Sequence, residues 1–487
     1  MKIAMIASEA TPLAKTGGLA DVIGTLSVAL ARLGHRVCVV IPGYRSALQA
    51  RARLSPSPIA YSVSVGDRPQ QAAIFTASLG EDIPVYLIGA DPYFDREHLY
   101  GGASGDYADN AERFAFFSRA ALELVRREGA DIIHCHDWQT ALAVVFLKVQ
   151  TERYPELAST RNVFTIHNLG FQGIFPQSTW PLLQLEPAYF TPRFLEYYGS
   201  VNFLKGALIF ADKITTVSPS YAEEIMTSEQ GFGLEGVLRE RASDVLGILN
   251  GFDDHHWNPS TDPYLVHHYG PDTLALKQEC KRMLQRLVGL AERADVPVIG
   301  MISRLTLQKG FDLLEQILGA LLQRDLQFVL LGNGEPRFEE FFKAAALRAP
   351  GRVAVKIGFD DPLAHHIEAG ADVFLMPSRY EPCGLNQMFS LKYGTIPVVR
   401  AVGGLKDTVD DYEPHSQTGT GFVFGPYDAA SLLGAIDRAL NVFRQPQAWT
   451  AIQQRAMAKD FSWDRSAMLY SDLYRQLCPE GGRDRGR

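Results

Sequence analysis

The feature that most constrains this chain stands at its start: an apolar run, a glycine loop, an amphipathic segment and a second apolar run. Ile3 to Ala7 is apolar, Lys15-Thr16-Gly17-Gly18-Leu19-Ala20-Asp21-Val22 follows, and Val22, Leu26, Ala29, Leu30 and Leu33 fall on one helical face that Gly34 ends. Val37 to Ile41 completes a βαβ unit. In an open α/β sheet, a loop at the carboxyl end of a parallel strand is where ligands bind. Two glycines let the backbone approach a ligand, the helix start turns N–H groups toward it, and Lys15 adds a mobile cation, so an anion suits the loop. The same residues also suit a plain tight turn beside a solvated lysine, and the stretch alone does not separate the two.

The rest of the chain repeats the pattern. Short strands are expected between Leu54 and Leu87, a loop from Tyr93 to Asp109, and a helix from Ala111 to Arg127. Apolar runs then end in polar residues at His134-Cys135-His136-Asp137-Trp138, at Thr165-Ile166-His167-Asn168, and at Thr215 to Ser220, where Ser218 or Ser220 suits a helix cap. Past Asn250-Gly251 and an irregular polar stretch to Pro259, the alternation restarts at Val298. It runs through a loop with Arg304 and Lys309-Gly310, the turn Gly332-Asn333-Gly334, and Ser378 to Asn386, and reaches Gly403-Gly404-Leu405-Lys406-Asp407. Gly-Gly-Leu-x-Asp thus occurs in both halves, each time between a strand and a helix. The expected architecture is α/β: two doubly wound Rossmann-like domains facing across a cleft, with residues 1–245 in the first, 246–460 in the second, and 461–487 a last helix with a basic, frayed tail.

Charge and cysteine usage narrow the function. A formal net charge of -8 argues against a general nucleic-acid or anionic-membrane binder, while leaving room for a local basic pocket. The five scattered cysteines, with no Cys-x-x-Cys, point to a reducing compartment, and no window approaches the length of a membrane span, so a cytoplasmic protein is expected.

Several chemistries can be weighed on their residues. His134, His136 and His167 invite a metal reading, but no Cys/His pair or His-Glu-x-x-His completes a ligand set. The doublets His255-His256, His267-His268 and His365-His366 read as solvated. Neither Gly-x-Gly-x-x-Gly nor a P-loop occurs, which leaves little support for a dinucleotide oxidoreductase or a P-loop NTPase. Arg304 and Lys309 sit near a helix start, where cations oppose the helix dipole, and a bound diphosphate would explain them. Glu381 places a carboxylate before another helix start, near the Cys383 and Gly384 amides; its plain reading is dipole complementarity.

Taken together, Lys15 to Val22, His136-Asp137-Trp138, Thr165-Ile166-His167-Asn168, Asn250-Gly251, Ser303-Arg304-Leu305 with Gln308-Lys309-Gly310, and Pro377 to Leu385 carry a specific resemblance. Over nearly its whole length the chain resembles bacterial glycogen synthases and plant starch synthases, retaining glycosyltransferases with the GT-B fold. The resemblance implies that the first domain holds an α-1,4-glucan acceptor, that the second holds ADP-glucose, and that the last helix crosses back to the first. It implies that Arg304 and Lys309 neutralise the donor diphosphate, that Lys15, Gly17 and Gly18 close on it, and that Glu381 stabilises the reacting sugar. It places His167 and Asp137 beside the donor glucose, Asn250 on its hydroxyls, the amides of Cys383, Gly384 and Leu385 under it, and Phe359 against the adenine; Thr408 follows the second Gly-Gly and joins the substrate-binding set. No metal and no cofactor is expected. Two positions depart from many relatives: Phe389 stands where a second glutamate often lies, and Gly358-Phe359 where Gly-Tyr is common. A UDP-glucose-dependent synthase and a non-catalytic glucan-binding relative are the alternatives.

Overall fold

The computed structural model describes residues 1–49, 54–80, 82–102 and 105–479, without the side chains of 56 and 58. The basic tail from Gly481 to Arg487 lies outside the described residues. The chain divides into two units, Met1–Gly251 with Trp463–Arg487, and Phe252–Ser462.

The first unit is built on a nine-stranded sheet, ordered Val245–Gly247, Lys213–Thr216, Arg161–Ile166, Ile132–His136, Lys2–Ile6, Arg36–Pro42, Ile83–Gly89, Arg68–Leu79 and Ser55–Val65. The first seven run parallel, and the last two add antiparallel at the edge. Lys2–Ile6, Arg161–Ile166 and Ile132–His136 are buried along nearly their whole length, as expected of central parallel strands covered on both faces. Strand order reverses at Lys2–Ile6: the chain first moves to Arg36–Pro42 on one side and returns to Ile132–His136 on the other. That reversal is a topological switch point, and the loops leaving these two strands open above it. Gly18–Arg32 forms the expected helix, with Gly17 as its N-cap in extended conformation. The terminal helix Trp463–Leu477 buries Trp463, Ala467, Tyr470, Leu473 and Tyr474 in this unit's core beside Ile23 and Leu26.

The second unit has a six-stranded, all-parallel sheet, ordered Val353–Ile357, Gln327–Gly332, Val298–Ile302, Val373–Met376, Ile396–Arg400 and Phe422–Phe424. Its switch point falls between Val298–Ile302 and Val373–Met376, so residues 303–310 and 377–385 leave the sheet side by side. The helix Lys277–Leu287, absent from the sequence reading, packs Cys280 and Leu284 against this domain.

Some expectations are corrected. Val245–Gly247 pairs with Lys213–Thr216 in the first sheet, so a second domain starting at 246 cuts one strand, and the second unit starts instead at Phe252. The stretch read as a loop from Tyr93 to Asp109 is partly ordered, with a helix Asp91–Phe94 and short strands Gly101–Gly102 and Gly105–Asp106.

Candidate active site

In the first unit, the strand Lys2–Ile6 runs out into a loop whose organising residue is Glu9. Its carboxylate is 3% exposed and collects donors from the glycine loop: the Thr16 N–H, the Thr16 hydroxyl at 2.6 Å and the Gly17 N–H at 3.3 Å. The Tyr100 hydroxyl adds a fourth at 2.6 Å. Buried acceptors that meet several donors fix those donors in place, so Glu9 sets the shape of the glycine loop before any ligand arrives. Sequence reasoning passed over Glu9. A Cβ built on Gly17 meets nothing within 4 Å, so this glycine leaves its backbone open to an approaching group. Lys15 is half-exposed and pairs with Asp21 at 2.9 Å, a contact that solvent screens and a stronger anion can displace.

Across the switch point, the strand Ile132–His136 ends on Asp137, whose φ of 56° lies in the left-handed region for a non-glycine residue. The turn brings its carboxylate onto the His167 N–H at 2.8 Å. Burial pushes the Asp137 carboxyl up to about 7, against the backbone N–H groups of His167 and Asn168, and the charge of Glu9 adds to the rise. His167 Nε2 and His136 Nδ1 lie 3.1 Å apart, and burial lowers His167 to about 3 and His136 well below the usual range, so both are neutral imidazoles. His134 is spent on structure, with Tyr474 Oη at 2.7 Å on one nitrogen and Thr165 Oγ1 at 2.5 Å on the other. The His136 Nε2 and the Asn250 Oδ1 are buried and have no hydrogen-bond partner among the described residues. Such atoms are suited to hydroxyl-bearing ligands, because a buried polar atom left unpaired is costly.

In the second unit, the two switch-point loops are knitted together. The Arg379 N–H donates to the Gln308 carbonyl at 2.8 Å, and Gly310, at φ +80°, sits where a Cβ would meet the Pro377 carbonyl oxygen at 2.1 Å. This draws Lys309 against Glu381: Nζ to Oε2 is 2.5 Å, with side-chain exposures of 17% and 6%. The Ser378 hydroxyl donates to the same Oε2 at 3.0 Å. Arg304 stands exposed at the mouth of the loop, its guanidinium 3.4 Å from Gln308 Oε1.

The second Gly-Gly works differently from the first. A Cβ on Gly403, at φ +42°, would meet the Glu381 carbonyl oxygen at 2.0 Å, and one on Gly404 would meet that of Cys383 at 2.1 Å. These glycines press the helix Gly403–Thr408 onto the backbone that carries Glu381, so they support the site from behind. Thr408 is 1% exposed; its hydroxyl donates to the Gly404 carbonyl at 2.6 Å and accepts from Gln387 Nε2, which in turn holds the carbonyls of Cys383 and Gly384. Leu385 caps the short helix that follows. Phe359 is 84% exposed just past the strand Val353–Ile357, while Phe389 is buried and stacks on Trp257 with centroids 4.1 Å apart.

Residues 2–240 match the starch synthase catalytic domain family, and residues 288–454 match the glycosyl transferases group 1 family. The glycogen synthase of Anaeromyxobacter sp. (strain Fw109-5) is 50% identical over 98% of this chain and 100% of its own length. That of Koribacter versatilis (strain Ellin345) is 46% identical over 97% of this chain and 98% of its own. The solved catalytic domain of starch synthase IV from Arabidopsis thaliana, bound to ADP and acarbose, superposes with a TM-score of 0.90 at 35% identity, covering 98% of this chain and 99% of that one. With two Rossmann-like domains, family models that match residues 2–240 and 288–454, and relatives matched from end to end, the chain belongs to the glycogen synthase and starch synthase family of GT-B glycosyltransferases.

Proposed function

We propose that this protein transfers glucose from ADP-glucose to the non-reducing end of an α-1,4-glucan with retention of configuration, releasing ADP. The observation that carries this reading is the Lys309–Glu381 pair held between the two switch-point loops of the second unit. It sets a cation for a leaving diphosphate directly against a carboxylate for a sugar that gains positive charge.

Arg304 and Lys309 meet the diphosphate, and Phe359 offers an exposed ring to the adenine. Glu381 faces the developing charge on the sugar ring. Asp137, His167 and Asn250 take sugar hydroxyls, Lys15 with Gly17 and Gly18 takes the phosphates from the first unit, and the amides of Cys383, Gly384 and Leu385 lie under the donor. Thr408 acts through Gln387 on the backbone at 383–384. In a retaining transfer the leaving phosphate oxygen is on the face that the acceptor attacks, so it can take the acceptor's proton, and no side chain has to be a nucleophile or a general base. ADP as the leaving nucleotide is supported by the ligand of the Arabidopsis thaliana relative.

Nucleotide release from ADP-glucose and from UDP-glucose, each with and without glycogen, tests the reading. The expected result is rapid, glycogen-dependent release from ADP-glucose and slow release from UDP-glucose. Equal rates remove the ADP assignment, and no release from either favours a glucan-binding relative.

A further inference from the structure

His365 lies in the helix Asp361–Gly370, where a histidine doublet reads in sequence as solvated, yet its side chain is fully buried. Its ring is clamped flat against Trp257, with centroids 3.8 Å apart and planes 6° from parallel. Its Nδ1 lies 2.7 Å from Asp262 Oδ2. That carboxylate is itself wholly buried and also accepts from the Tyr393 hydroxyl at 2.6 Å and the Tyr264 N–H at 2.9 Å. A carboxylate on Nδ1 fixes the tautomer with the proton there and leaves the lone pair on Nε2. Nε2 is buried and has no hydrogen-bond partner among the described residues.

Two further ligands stand beside it. Asp361 is four residues earlier on the same helix, hence on the same face, and the Tyr264 hydroxyl reaches its Oδ2 at 3.4 Å. His256, exposed on the segment that opens this unit, sets its ring edge-on to His365 with centroids 5.0 Å apart. One ligand atom from each of His256, Asp361 and His365 lies within 4.8 Å of the other two. A tetrahedral zinc site with Zn–N near 2.0 Å has ligand-to-ligand edges of about 3.3 Å. His256 is exposed, so its ring can turn toward a bound ion while the clamped His365 stays in place.

We propose that His256, Asp361 and His365 form a divalent-metal site of the zinc class, with Asp262 as the outer carboxylate that orients His365. Two imidazoles and one carboxylate suit Zn²⁺ and leave a fourth position for water, and a carboxylate behind a ligating histidine is the usual support for such a ligand. The site lies apart from the Lys309–Glu381 pair in sequence and uses none of the residues assigned to glucosyl transfer. Bound metal would tie the segment after Gly251 to the helix Asp361–Gly370 within the second unit.

The test is calorimetric titration of the full-length, EDTA-treated and desalted protein with ZnCl₂. His256→Ala and Asp361→Asn serve as variants because neither removes the buried ring, and circular dichroism checks that each is folded. One equivalent of Zn²⁺ should bind, each variant should weaken that binding at least about tenfold, as the loss of one charge-assisted ligand contact implies, and Zn²⁺ should raise the melting temperature of the parent but not of His256→Ala. Co²⁺ in the same site should show bands of nitrogen and oxygen ligation without thiolate charge transfer. Absence of equimolar binding, binding that survives both substitutions, or a thiolate band from one of the five cysteines would overturn the assignment.

Discussion

Glu381→Gln separates charge from shape at the centre of the proposed reaction. Lys309 Nζ at 2.5 Å and the Ser378 hydroxyl at 3.0 Å both reach Oε2, and an amide oxygen in that place can accept from both. The substitution therefore removes one negative charge and keeps the hydrogen bonds. At the 2.5 Å separation, an effective dielectric constant of about 20 gives a raw attraction of about 6 to 7 kcal/mol. Desolvation of two largely buried groups offsets most of it, and the retained Lys309 contact to the amide keeps part of the rest, leaving a stability loss of about 1 to 3 kcal/mol. Catalysis should suffer more. Losing one preorganised electrostatic group costs roughly 10²- to 10³-fold in kcat, about 2.7 to 4 kcal/mol. The KM for donor should change only a few-fold, since Lys309, freed from a carboxylate, remains available to the diphosphate. Initial rates of ADP release at saturating glycogen, with urea unfolding of the same preparation, separate the two effects. A kcat within about threefold of the parent, in a folded variant, would refute the role given to Glu381.

Two other substitutions probe the first unit. Lys15→Ala should lower kcat/KM for the donor by about 1.5 to 3 kcal/mol, the size of one charge-assisted contact; unfolding should barely change, because the Lys15–Asp21 pair is half-exposed. Unchanged donor kinetics would leave Lys15 as a solvated surface charge. Asp137→Asn tests the raised carboxyl: the folded state holds its proton up to about 7, whereas the unfolded state loses it at the ordinary carboxyl value of 3.8. Asp137 therefore costs stability progressively as pH rises from about 4 to about 7, to a ceiling of about 4 kcal/mol at 1.36 kcal/mol per pH unit. The asparagine variant should gain on the parent across that window and match it near pH 4. Parallel stability curves would contradict the shift.

The loops that carry the proposed site residues were legible in sequence because polar residues break the apolar runs where parallel strands end, and parallel strands end on one edge of a sheet. Lys15 to Gly18, His136-Asp137, His167, Arg304 to Lys309 and Glu381 all stand where an apolar run gives way to polar residues, and each lies on a loop that leaves a parallel strand of its own unit. What sequence could not show is what depends on distant partners. Glu9 belongs to no motif, and one of its partners, Tyr100, lies 91 residues on. The helix Lys277–Leu287 hides its apolar period because two of its buried positions are lysines: Lys277 donates to the Ala369 carbonyl at 2.8 Å and the Thr395 hydroxyl at 2.6 Å, and Lys281 pairs with Asp372 at 2.7 Å. Fully buried His365 reads as a surface residue until Trp257 and Asp262, about a hundred positions earlier, are seen to cover it. The two Gly-Gly-Leu-x-Asp stretches look equivalent in sequence, yet a Cβ finds open space at Gly17 and backbone at Gly403.

Fixed charges drive the proposed retaining glucosyl transfer. Its most direct test follows ¹³C-labelled glucose from ADP-glucose onto a maltooligosaccharide by NMR, in EDTA, with ADP quantified in parallel. New α-1,4-linked residues should appear at the non-reducing end, one for each ADP released, at a rate that EDTA leaves unchanged because Arg304 and Lys309 supply the charge at the leaving group. A β-linked product, ADP release without glucan extension, or turnover abolished by EDTA and restored by a divalent metal would contradict it.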